Sequence, residues 1–266
     1  MMKKNLLLLM LSIALFSCSP YQKALKTEDI AVKYEEANKQ YDNGKYNKAI
    51  RLFEQIAPSY RGKPQAEKMF YTYAQALYKT EQFHVSGYQF EKFVSSYPKS
   101  EKIEEAAYLG AKSFSKLSPV YSLDQVDTEK AIDKMQTFID AYPTSSYLVE
   151  ANEIVKTLRE KIEVKAFENA KQYNTISDYK AALVAFDNFI ADFPGTPLKE
   201  KALFLKLDSA FKLAINSVPS KMEERLNNSK IAYQNLMKFN SNTAFKDKAD
   251  AMLEKINKEL QQFSKQ

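Results

Sequence analysis

Few side chains in this 266-residue chain could do covalent chemistry, and the clearest of them is Cys18. It is the only cysteine, so no disulfide can form within the chain and the thiol acts by itself. Lys3 and Lys4 make a positive start, and Leu6 to Phe16 is a mostly apolar run of eleven residues, too short to cross a bilayer as a helix. For a thiol placed directly behind such a signal-type segment, the expected chemistry is acylation. The only histidine, His84, has no partner in the sequence that would make it half of a catalytic pair or part of a metal set. Adjacent acids (Glu35-Glu36, Glu104-Glu105, Glu223-Glu224) fall about 100° apart on a helix and need not converge. No glycine-rich phosphate loop, Ser-His-Asp set or Cys/His ligand spacing is present. The sequence therefore predicts no enzyme, no cofactor and no metal. It predicts a binding scaffold.

Composition agrees with an exported helical body. Five glycines and nine prolines are few, tryptophan is absent, and no second apolar run is long enough to span a membrane. The net charge of +6 falls to +4 once Lys3 and Lys4 are removed with a signal peptide, a mildly basic balance that solvated helix faces explain better than a nucleic-acid site. Cleavage before Cys18 would leave 249 of the 266 residues.

The elements that must carry any binding surface are read from Phe70 to Ser100. Phe70, Tyr73, Ala74 and Leu77 follow the i, i+3, i+4, i+7 spacing of one helix. Phe83, Phe90, Phe93 and Val94 give a second, with Ser86 and Gly87 as small positions, and Pro98 stops it. The unit recurs. Aromatics at Tyr60, Tyr97, Tyr142 and Phe193 are each preceded, eleven residues back, by Ala49, Ser86, Ala131 and Ala182. Seven back stand Phe53, Phe90, Met135 and Phe186, and four back stand Ile56, Phe93, Phe138 and Phe189. The aromatics lie 37, 45 and 51 residues apart. Helix pairs are predicted at about 29–43 with 46–58, 64–79 with 83–96, 101–117 with 127–141, 147–175 with 179–192 and 198–215 with 223–239. A closing helix follows at 243–262. Ser100, Thr128, Ser146 and Ser241 are the expected caps.

This pattern resembles the tetratricopeptide repeat, whose period is roughly 34 residues, in a degenerate form with insertions. The implied fold is all-α, a solenoid of about five helix–turn–helix repeats. Leu15-Phe16-Ser17-Cys18 resembles a bacterial lipobox, and Ser19 after the cysteine favours the outer membrane. Residues 1–17 are then a signal peptide and 18–27 a short lipidated polar tether. The insertion Ser118 to Ala131, together with Asp178-Tyr179-Lys180-Ala181-Ala182 and Phe193-Pro194-Gly195-Thr196, resembles the BamD family of outer-membrane β-barrel assembly lipoproteins. That resemblance implies repeats over 28–145 that recognise unfolded barrel proteins by their C-terminal strand. It implies repeats and a capping helix over 146–266 that dock on periplasmic domains of BamA, beside other subunits of the machine. A SusD-like glycan-capturing lipoprotein or a general cell-envelope adaptor is the alternative.

Within the tetratricopeptide resemblance, first-helix positions outside the core pattern line a groove. Tyr34, Tyr71 and Tyr108 occupy one such position, 37 residues apart each time. Asn38, Gln75 and Lys112 follow one turn on, and Tyr78 lies a turn beyond Gln75. Phenols beside amides and cations suit an extended peptide ending in an aromatic residue and a carboxylate. The expectation is that Tyr71 and Tyr108 serve binding and not stability.

Overall fold

The structure is a computed structural model that describes residues 19–263, so Cys18 and the expected signal peptide lie outside the described residues. Among the described residues the chain forms twelve helices and no strand. A short α1 (Pro20–Lys26) precedes the first hairpin, α2 (Ile30–Asp42) with α3 (Tyr46–Tyr60). Then come α4 (Ala66–Lys79) with α5 (Phe83–Ser96), and α6 (Ile103–Ser115) with α7 (Val126–Ala141). The long α8 (Leu148–Thr175) precedes α9 (Tyr179–Asp192), α10 (Lys199–Ile215) pairs with α11 (Pro219–Phe239), and α12 (Lys246–Leu260) closes the chain. The fold is a tetratricopeptide-like array of five hairpins, as the periodicity predicts. No helix among the described residues is long and apolar enough to cross a membrane.

The repeated positions are the core. Ala49, Ser86, Ala131 and Ala182 are fully buried, as are Phe53, Phe90, Met135 and Phe186 one turn on. Ile56, Phe93, Phe138 and Phe189 complete each stripe with almost no exposed surface. The small residue is what allows close approach. Ser86 Oγ donates to the carbonyl of Ala74 at 3.1 Å and receives Ser113 Oγ at 3.3 Å, binding α5 to the helices on either side. A side chain at Gly110 would meet the Cβ of Phe90 at 3.2 Å, so α5 and α6 touch nearly backbone to backbone. The fifth hairpin follows the same pattern, with Ser229 and Leu236 buried but Asn240 in place of the closing aromatic.

The turns after α5, α7 and α11 each carry a latch that the spacing of apolar residues does not reveal. Ser145 Oγ donates to Glu104 at 2.6 Å and accepts from the backbone N–H of Tyr147 at 3.1 Å. Ser100 does the same with Glu67 (2.6 Å) and the Lys102 N–H (3.0 Å). Thr243 repeats it with Glu200 and the N–H of Phe245. One hydroxyl thus joins the start of one hairpin to the start of the next. Hydrogen bonds from Thr243 and then Asn240 hold the Glu200 carboxyl below its ordinary range, so this latch contributes above the carboxylate range and is lost as acid protonates Glu200. The expected caps are corrected accordingly. Ser100 binds the Lys102 N–H in the turn just ahead of α6, Ser145 and Thr243 hold the equivalent turns in place of Ser146 and Ser241, and Thr128 is buried inside α7, bonded to Gln125. We expect Ser145→Ala to cost about 1.5 kcal/mol in urea melts, because it strands a charged acceptor and frees a helix start. A loss under about 0.5 kcal/mol, ordinary for a surface change, would contradict the latch.

Two sequence boundaries are corrected. The segment expected as a polar tether is helix α1 over most of its length. Ser19 Oγ accepts from the Gln22 N–H at 3.3 Å, Pro20 opens the helix, and Tyr21 and Ala24 are buried in the core of the first hairpin. The chain also divides into two compact units within α8, after Leu158, and not at 145/146. Ala151 and Val155 of α8 belong to the core around Tyr108, Met135 and Phe138, which holds the first part of that helix in the first unit. Residues 120–123 of the insertion group with the second unit, where Lys165 Nζ donates to the Leu123 carbonyl at 2.5 Å.

Candidate peptide-binding site

In the first unit, the first helices of successive hairpins place phenols, amides and charges along one file. Tyr41 donates to Gln75 Oε1 at 2.7 Å, and Gln75 Nε2 donates to the Tyr71 hydroxyl at 2.9 Å. The Glu105 carboxylate reaches toward the same hydroxyl and pairs with Lys102 at 3.0 Å, while Lys102 Nζ stands 5.7 Å above the Tyr71 ring. Burial first, and then Glu105, push the Tyr71 phenol well above the ordinary tyrosine range. It therefore stays protonated as a hydrogen-bonding group at any physiological pH. Tyr71, Gln75 and Lys102 line an open depression of about 530 Å³ together with Glu67, Lys68 and Thr72.

One hairpin further on, Lys112 is the hub. Its Nζ pairs with Glu150 at 2.6 Å and sits 5.2 Å from the centre of the Tyr108 ring. Burial pushes the Lys112 ammonium down, but Glu150 and Tyr108 more than offset this and leave it above an ordinary lysine. The hydrogen bond from Lys112 in turn holds the Glu150 carboxyl below its usual range. Burial, and then Glu150, raise the Tyr108 phenol to about 12. Tyr147 stacks on Tyr108 with centroids 4.4 Å apart and planes 9° apart. Tyr78 is half-buried, edge-on to Phe83 at 5.5 Å, and close enough to Lys112 to feel its charge.

The residues singled out by spacing therefore divide. Tyr71, Gln75, Tyr78 and Lys112 belong to this file, and Tyr108 packs beneath Lys112. Tyr34 and Asn38 do not join it. Tyr34 stacks on Tyr60 at 5.1 Å, and Asn38 Nδ2 turns back onto the Tyr34 carbonyl of its own helix at 2.8 Å. The expectation that Tyr71 and Tyr108 stand apart from the core is corrected: they are 9% and 2% exposed. Their rings pack on Phe90 and Phe93, and on Phe138, so only the polar edge of Tyr71 reaches the surface file. Glu105, Tyr147 and Glu150 were not singled out by spacing. Glu150 lies 38 residues beyond Lys112, close to the 37-residue period, which is the signal that could have found it.

Such a file can hydrogen-bond an extended backbone and meet a carboxylate with a cation, but it holds no nucleophile with an adjacent base. His84 is exposed at the start of α5. Among the described residues no group of three or more His, Cys, Asp or Glu side chains is placed to hold a metal ion.

Comparison with known proteins places the chain in a family. The chain is 22% identical over 238 residues to the outer membrane protein assembly factor BamD of Buchnera aphidicola, covering 84% of this chain and 97% of that protein. It is 25% identical over 227 residues to BamD of Neisseria gonorrhoeae, covering 79% and 85%. Among solved structures, the TPR2AB domain of yeast Sti1 aligns with a TM-score of 0.38 at 15% identity, over 86% of this chain and 98% of that one. A family described as "YfiO: Outer membrane lipoprotein" matches residues 27–182 and 163–264, which together span nearly all of the described chain. The chain belongs to the YfiO family of outer membrane lipoproteins.

Proposed function

We propose that this protein is a non-enzymatic scaffold lipoprotein of outer-membrane β-barrel assembly. Cys18 carries acyl chains in the outer membrane, and the helical body faces the periplasm. The repeats over 28–145 capture the C-terminal segment of an unfolded barrel protein, and the repeats over 146–266 dock on the periplasmic domains of a BamA-type partner. The single observation that carries the capture step is the file from Tyr41 through Gln75 to Tyr71 and Lys102, open to solvent beside a depression of about 530 Å³. Family membership and the BamD relatives support the assembly role.

A peptide ending in an aromatic residue and a free carboxylate tests the capture step. We expect Gln75→Ala with Lys102→Ala to weaken its binding about tenfold, the worth of roughly 1.4 kcal/mol of lost hydrogen bonding and charge pairing, and to leave the melting temperature nearly unchanged. Fluorescence titration of the wild type and the variant measures it, and amidation of the peptide carboxylate is expected to mimic the loss. Equal affinity for all of these would move capture away from this face.

A further inference from the structure

We propose that the α1–α3 face of the first hairpin is a membrane-bearing surface that lies on the phospholipid headgroups and fixes the orientation of the first unit. The inference rests on the reading that Cys18 is acylated. Two residue steps separate Cys18 from Pro20, a reach of at most about 7 Å. From Pro20 the chain is already helix, and that helix is docked: Tyr21 and Ala24 are buried, and Lys48 Nζ of α3 stands 5.0 Å over the Tyr21 ring. The acyl chains would therefore attach within about 7 Å of a docked helix.

What surrounds that point suits an anionic surface. Tyr21, Gln22, Asn47, Lys48 and Arg51 border a broad open depression of about 620 Å³. Lys23, Lys48 and Arg51 are exposed, and among the described residues none is paired with a carboxylate. The one acid on the rim, Glu54, accepts from the Tyr73 hydroxyl at 3.5 Å. Unpaired cations and amides around the attachment point complement headgroup phosphates. The chain's point of attachment and the charge beside it thus favour the same occupant, a bilayer surface.

The test uses the acylated full-length protein in vesicles of phosphatidylethanolamine and phosphatidylglycerol, with a nitroxide on one introduced cysteine. Gln22→Cys and Arg51→Cys report on the proposed face, and Lys156→Cys reports on α8. Broadening by a nickel chelate carried on lipid headgroups is expected to be at least about threefold greater at the first two positions. Lys48→Glu, combined with the Gln22 label, is expected to reduce that broadening by about half. Equal broadening at all three labelled positions would overturn the proposal. Intact mass is measured on every sample. A mature mass without acyl chains would remove the anchor and this surface with it, an outcome distinct from an acylated protein that does not lie on its α1–α3 face.

Discussion

Tyr108→Ala is expected to destabilise the protein by about 3 kcal/mol. The side chain is 2% exposed, stacked on Tyr147 at 4.4 Å and tilted against Phe138 at 5.5 Å, within the core that also holds Met135 and Val155. Removing it takes away a large apolar ring and leaves a cavity between two hairpins that can close only partly. Tyr108→Phe separates the ring from its hydroxyl. That hydroxyl is buried and completes no hydrogen bond by strict geometry, so the phenylalanine variant is expected to stay within about 1 kcal/mol of wild type. Urea unfolding followed by circular dichroism measures both. If the alanine variant melted like wild type, Tyr108 would be a surface residue and the packing described for it would be wrong.

Phe90→Ala is expected to cost still more, about 4 kcal/mol. Phe90 is fully buried and lies edge-on to Tyr71 at 6.2 Å, in the core shared with Ala74, Phe93 and Ala106. Its Cβ faces Gly110 so closely that α6 can approach only because that position has no side chain. The backbone on that side cannot move in further, so the cavity left by the ring persists. Gly110→Val approaches the same contact from the other partner and should also destabilise, by overpacking. A Phe90→Ala loss under about 1 kcal/mol, seen in the same unfolding measurement, would show that the α5–α6 contact relaxes freely.

Most of the helical frame was legible in the sequence because the second helices bury one narrow stripe. Small, large, large at offsets of eleven, seven and four residues from the closing aromatic is a pattern that burial alone enforces, and Ala182, Phe186 and Phe189 satisfy it as fully as Ser86, Phe90 and Phe93. The first helices were harder, since they are packed on two sides. In α4, Met69, Tyr73, Ala76 and Leu77 serve the core with the first hairpin, while Tyr71 and Ala74 serve the core with α5 and α6. Two interleaved stripes cover more than half the helix, so a tyrosine outside the first stripe falls into the second. Spacing alone could not separate a groove from a second core. Helix α1 was legible in principle: Ser19 as cap, Pro20 at the first position, and Tyr21, Ala24 and Leu25 on one face are ordinary start signals. The latches from Ser100, Ser145 and Thr243 cross 33, 41 and 43 residues, and no local pattern encodes such pairs.

The proposed role in assembling outer-membrane β-barrels is tested by depleting the protein from growing cells and quantifying the outer-membrane proteome. β-Barrel proteins are expected to fall across the board, while soluble periplasmic proteins and other lipoproteins hold their levels. Barrels retained at normal abundance, or a loss confined to a single glycan-uptake system, would contradict it.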